Sequence, residues 1–204
     1  MKQQIILITG GARSGKSRHA EERATRIGNK LLYLATGQAK DEEMSRRIAE
    51  HRKRRGPNWI TVEEPIEINR VLTQQQAQVD CAVVDCLTLW LSNLLIGSGE
   101  KPAHQAVEEL IQGLPRLDFH LFLVTNEVGW GIVPDNPLAR QFRDLAGWAN
   151  QRVASVADEV VLMVAGVPTV VKKAGVKAKG KRKKAKGIFF YFLLFTFYLG
   201  PTCF

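Results

Sequence analysis

The chain has 204 residues, 45% of them hydrophobic and 24% charged, enough for one domain with a proper core and too few for two large ones. The net charge of +9 is unevenly placed: seven uncompensated lysines and arginines follow Lys173, which leaves residues 1–173 at +2. That near-neutral body removes the electrostatic case for a nucleic-acid-binding domain. Cys81, Cys86 and Cys203 form no C-x-x-C pair, which argues against a disulfide scaffold or a zinc site. "MKQQIILITGG" lacks the long apolar run and cleavage site of a secretory leader, so the expected location is the cytoplasm.

In chain order, "IILITG" (5–10) is a short β-branched run stopped by glycines and predicts a buried strand. A helix is expected over 17–27 and a second strand over 30–37. Residues 41–55, "DEEMSRRIAEHRKRR", carry acids in the first turn and bases in the last, which suits the helix dipole, and Gly56-Pro57 supplies a stop. A further helix is expected over 66–78. "DCAVVDC" (80–86) predicts a third strand, followed by helices over 87–97 and 100–114. A fourth strand covers 120–129, a long helix 136–157 and a fifth strand 158–168. This alternation predicts a mostly parallel sheet flanked by helices.

"GGARSGKS" (10–17) fits G-x-x-x-x-G-K-[S/T] between a predicted strand and a predicted helix, where a phosphate-binding loop must lie. Its glycines let backbone N–H groups turn around a phosphate. Lys16 would reach the outer phosphates, and the Ser17 hydroxyl would ligate Mg²⁺. A carboxylate on a nearby strand end is expected to hold the metal through water. Asp85, closing "CAVVD", is in the right place, and it is equally placed to N-cap the next helix. Glu63 and Glu64 in "TVEEP" read as surface residues on their own.

The blocks "TGGARSGKSRHAE", "LYLATG", "RRIAEHRKRR", "W-x-T-VEEP", "LTLWLSNLL", "VTNEVGWGIVP" and "ARQFRDLAGWANQRVA" follow one another over about residues 3–173. Together they closely resemble the bifunctional adenosylcobinamide kinase/adenosylcobinamide-phosphate guanylyltransferase family of cobalamin biosynthesis. The resemblance implies a P-loop NTPase-like, RecA-like α/β fold, a homotrimer, and two reactions on one corrinoid. ATP or GTP phosphorylates adenosylcobinamide. GTP then gives GMP to adenosylcobinamide phosphate, releasing pyrophosphate, through a guanylylated histidine that "EHRKRR" places at His51.

The chemistry of that stretch agrees. A neutral imidazole is a competent nucleophile, and helical spacing puts Arg47, His51 and either Arg54 or Arg55 on one face. The guanidiniums could grip a triphosphate and should lower the His51 pKa. In isolation, the same stretch reads as a solvated basic helix. The resemblance implies a nucleotide site formed by Gly10, Gly11, Ala12, Arg13, Ser14, Gly15, Lys16 and Ser17, by Ala35, Thr36 and Gly37, by Arg52, Lys53, Arg54 and Arg55, and by Glu63 and Asp85. Family members often carry glutamate where Asp85 stands. Glu63 then gains a role, accepting from the N1–H and N2–H₂ of guanine.

Asn126 and Glu127 follow a strand, where open α/β sheets place ligands. Trp130 is expected to contact the corrin or a neighbouring subunit, with core packing as the alternative. The last 31 residues depart from the family: a Lys/Ala/Gly run precedes a segment holding six of the nine phenylalanines. The apolar stretch 188–199 falls short of the roughly 20 residues of a membrane-spanning helix. A frameshifted or read-through end is the favoured reading of 174–204, against a membrane-surface anchor or a packed extension. The expected domain is therefore residues 1–173, without nucleic-acid partners and without membrane contact except through the tail.

Overall fold

The computed structural model describes residues 3–37 and 55–173. Of the helix expected over 41–55 only Arg55 is among those residues; the rest of it, with His51, Arg52, Lys53 and Arg54, and the tail 174–204 lie outside them.

The first strand, β1 (Ile5–Gly10), is buried along its whole length, as is β2 (Leu31–Ala35). Strands β3 (Trp59–Glu63), β4 (Cys81–Asp85), β5 (His120–Val124), β6 (Glu159–Val164) and β7 (Val167–Lys173) complete a seven-stranded sheet in the order β3-β2-β4-β5-β1-β6-β7. All pairings are parallel except β6 with β7. Central strands covered on both faces cannot alternate apolar with polar residues, which is why "IILITG" and "CAVVD" read as continuous apolar runs.

Two apolar clusters form the core. On one face, Ile6, Ile8, Tyr33, Val83 and Phe122 pack against Ala20 and Ala24 of α1 (Lys16–Ile27). The other face is larger. It gathers Ile5, Leu7, Leu34 and Leu123 with residues of α2 (Ile68–Gln74), α3 (Leu87–Ser98), α4 (Glu100–Gly113) and α5 (Pro137–Val156). Trp90 of α3 is fully buried there, and its indole N–H donates to the Ile66 carbonyl at 2.8 Å. The start of α5 has both expected signals: Pro137 opens the helix, and the Asn136 side chain accepts from the N–H groups of Leu138 and Ala139.

The parallel register decides where a ligand can sit. Ile8 lies opposite Val124, Val124 opposite Asp85, Asp85 opposite Ala35, and Ala35 opposite Glu63. The carboxyl ends of five strands therefore finish along one edge of the sheet, the usual ligand edge of open α/β folds.

The strand count differs from the sequence expectation of five. Strand β3 is a half-exposed edge whose short "WITVE" gives little apolar signal. The strand expected over 158–168 is broken at Ala165 and Gly166, whose φ angles of 51° and 83° form a two-residue turn of the primed, hairpin type. The chain then returns antiparallel as β7, exposed throughout. Two further elements are shorter than expected: β5 stops at Val124, ahead of a 3₁₀ turn at Val128–Trp130, and α2 covers only part of 66–78.

Candidate active site

A cleft of about 700 Å³ opens along that strand edge. Its walls contain Ala12, Arg13, Ser14, Gly15, Lys16, Ser17, Ala35, Gly37, Arg55, Glu63, Asp85 and Asn126 from the expected nucleotide and substrate residues. Gly10 and Gly11, at the start of the same loop, are not among the wall residues. Thr36 is completely buried and acts as a brace, its hydroxyl donating to the Cys86 carbonyl at 2.7 Å and accepting from the Cys86 N–H at 2.8 Å. Glu127 and Trp130 stand outside the walls.

The loop needs special backbone. Gly10 and Gly15 have φ of 145° and 92°, and a Cβ on Gly10 would overlap the Met163 carbonyl oxygen. Helix α1 starts at Gly15 with no side-chain cap, so its first N–H groups are left to a ligand, and the helix dipole favours an anion there. Lys16 is only 7% exposed, and its Nζ donates to the Gly11 carbonyl. Burial lowers its pKa, while the charges of Asp85 and Glu127 act in the opposite direction. A phosphate placed in the loop would satisfy both the buried ammonium and the uncapped N–H groups.

Asp85 is not an N-cap. Cys86 takes that position in α3 without a side-chain cap bond, and Asp85 instead accepts at Oδ2 from the Tyr33 hydroxyl at 2.7 Å. The carboxylate faces the cleft as a ligand group should. Ser17 and Asp85 supply hard oxygen donors to the same space, the donor type that suits Mg²⁺. Among the described residues no group of three or more His, Cys, Asp or Glu side chains could cage a metal. Burial pushes the neighbouring Cys86 thiol up to about 12, which removes it as a nucleophile.

Arg55, the last residue of the basic run, has a side chain only 4% exposed. Its guanidinium lies 3.4 Å from the Tyr33 ring centroid, donates to Thr61 Oγ1 at 2.9 Å and approaches Glu21 Oε1 at 3.6 Å. Tyr33 and Thr61 were not singled out in the sequence. A phenol inside a buried strand must find a partner, so Tyr33 in "LLYLA" carried a readable signal. Thr61 carried none, because it becomes a wall residue only through the pairing of β2 with β3.

The loop after β5 is fixed by a buried polar network. The Thr125 hydroxyl donates to Asn150 Oδ1 at 2.8 Å, Asn150 Nδ2 donates to the Asn126 carbonyl at 3.2 Å, and the Asn126 N–H donates to Thr88 Oγ1 at 2.8 Å. The Thr9 hydroxyl donates to Glu127 Oε1, tying the same loop to the strand that enters the phosphate loop. Trp130 is 69% exposed, which rules out its packing in the core.

A family model described as cobinamide kinase / cobinamide phosphate guanyltransferase matches residues 6–171, the span that carries all of these groups. The chain belongs to this family. Similar proteins include the bifunctional adenosylcobalamin biosynthesis protein CobP of Pseudomonas aeruginosa, 46% identical over 166 residues that cover 81% of this chain and 96% of that protein. Another is the protein CobU of Salmonella typhimurium, 42% identical over 183 residues, with coverage of 82% and 99%. Among solved structures, an ATPase of a bacterial type III secretion system superposes with a TM-score of 0.57 at 11% identity, covering 79% of this chain and 52% of that one. That likeness speaks to fold alone: this chain has the RecA-like α/β architecture, a mostly parallel sheet flanked by helices, expected from the sequence.

Proposed function

We propose that the protein phosphorylates adenosylcobinamide with ATP or GTP and then transfers GMP from GTP to the product through His51, giving adenosylcobinamide-GDP and pyrophosphate. Family membership makes it an enzyme with kinase and guanylyltransferase activity in assembling the nucleotide loop of cobalamin. The observation that carries the finer reading is Arg55 in the wall of the phosphate-loop cleft, four residues after His51.

In the kinase step the uncapped start of α1 and Lys16 hold the triphosphate, so that the corrinoid hydroxyl can displace the nucleoside diphosphate from the terminal phosphorus. Ser17 and Asp85 would hold Mg²⁺, which supplies charge neutralisation across the phosphate oxygens. In the transfer step a ring nitrogen of His51 bonds to the α-phosphorus of GTP as the bond to the bridging oxygen breaks and pyrophosphate leaves. A phosphate oxygen of the corrinoid then attacks the same phosphorus and frees the histidine. Arg52, Lys53, Arg54 and Arg55 offset the charge of the departing pyrophosphate, and Glu63 accepts from guanine.

The protein works in this reading as a homotrimer in the cytoplasm. Support for assembly comes from Trp130 and Ile132, exposed by 69% and 97%, beside a substrate loop. Among the described residues no helix is long and apolar enough to cross a membrane. Intact-mass analysis after incubation with GTP and Mg²⁺ tests the transfer step: the expected result is a gain of one GMP, absent in His51→Ala. A wild-type protein that phosphorylates cobinamide without ever gaining GMP would sink the histidine route.

A further inference from the structure

We propose that Tyr33 is a positioning residue that joins the two halves of the active site, its hydroxyl orienting Asp85 and its ring seating Arg55. The proposal rests on the two-step reading above. The side chains of β2 that point toward α1 meet both halves at once. Tyr33 stands opposite Thr61 on β3 and opposite Val83 on β4, which makes Asp85, two residues further on, its diagonal neighbour. A long aromatic side chain spans that diagonal, and the phenol donates to Asp85 Oδ2 at 2.7 Å. Among the described residues Asp85 Oδ1 accepts no hydrogen bond, so the second oxygen is available to the cleft.

The ring does separate work. Trp59 meets it edge-on at 6.3 Å and 71°, fixing its plane, and the Arg55 guanidinium lies over it at 3.4 Å. Thr61 and Glu21 complete the seat from β3 and α1. Arg55 is thereby held from three elements at the point where the chain leaves the "EHRKRR" stretch. A planar cation on an aromatic face is held in orientation as well as position.

The two functions separate by substitution. Tyr33→Phe keeps the ring and removes the hydroxyl; Tyr33→Leu removes both. With Tyr33→Phe, the gain in affinity that Mg²⁺ gives a non-hydrolysable GTP analogue should shrink about three- to tenfold, the size expected for losing one ordinary net hydrogen bond that acts through Asp85. GMP labelling at saturating Mg²⁺ should fall no more than about threefold. With Tyr33→Leu, labelling should fall at least about tenfold, while the kinase rate falls no further than in Tyr33→Phe. Arg55→Gln, with the ring intact, should reproduce the labelling loss.

A purely structural Tyr33 would lower the melting temperature and depress both reactions together. That pattern, or an unaltered Mg²⁺ effect in Tyr33→Phe, or full labelling in Arg55→Gln, overturns the proposal. Should Tyr33→Leu not fold, the other two variants still decide it. Failure of the wild type to gain GMP would count against the two-step reading instead.

Discussion

Asn150 is the place where the fold most directly supports the site, and Asn150→Leu should show it. The side chain is 9% exposed and sits on α5, behind the sheet. It accepts from the Thr125 hydroxyl and donates to the Asn126 carbonyl, so leucine of similar volume strands one buried donor and one acceptor. Each stranded group costs about 1–3 kcal/mol. The Thr125 hydroxyl can turn toward Thr88 Oγ1, but that contact is 3.4 Å and recovers little. The expected loss is therefore about 2–6 kcal/mol, a large share of the roughly 5–15 kcal/mol typical of a domain. Urea unfolding followed by far-UV circular dichroism should show a lower midpoint with the slope m preserved. Adding Thr125→Val removes the stranded hydroxyl and should return about 1 kcal/mol or more. A loss below about 0.5 kcal/mol for Asn150→Leu, or no recovery in the double variant, would refute the reasoning.

Other perturbations have equally definite outcomes. Gly10→Ala drives a methyl group into the Met163 carbonyl at a φ of 145°, so it should lower the unfolding midpoint and abolish nucleotide binding together; calorimetry with and without a GTP analogue checks both. Asp80 accepts at Oδ2 from the N–H groups of Lys30 and Asn29, and these bonds hold its pKa below the ordinary value. A carboxyl with a depressed folded pKa stabilises above its unfolded pKa and loses that contribution as pH falls through the folded value. The stability gap between wild type and Asp80→Asn should thus be full at pH 7 and close below about pH 4; a gap independent of pH would contradict the assignment. Removing residues 174–204 should leave GMP labelling and kinase rate within about twofold, measured on the same preparations, because the cleft walls, the seven described strands and both apolar clusters are built from residues up to Lys173.

The legible parts of the fold were those governed by local pattern. "IILITG" followed by "GARSGKS" reads as strand, loop and helix because buried β-branched residues, two required glycines and an uncapped helix start all agree within 13 residues. Asp85 was legible as a strand-end carboxylate, but its partner was not, since the Tyr33 hydroxyl reaches it from a strand 52 residues away. Strand β3 escaped for a related reason: an edge strand buries one side only, and "WITVE" owes its place to β2 rather than to its own hydrophobicity. The turn at Ala165–Gly166 was hidden because alanine rarely adopts positive φ, so "VAGVP" looks like an uninterrupted strand. For Glu63, the family resemblance added what local pattern could not, and the register then set it at the cleft edge beside Ala35.

The hairpin that hid from the sequence also fixes where the last described residue lies. Its turn rests on the phosphate loop, with the Gly166 N–H donating to the Ser14 carbonyl at 3.1 Å. From there β7 runs back for seven residues until Lys173 lies opposite Glu159, at the beginning of β6. Seven residues of strand span about 20 Å. Lys173 therefore lies at the rim of the sheet opposite the phosphate loop, about a strand length from the turn that rests on that loop. One two-residue turn thus both braces the phosphate loop and carries the last described residue away from it.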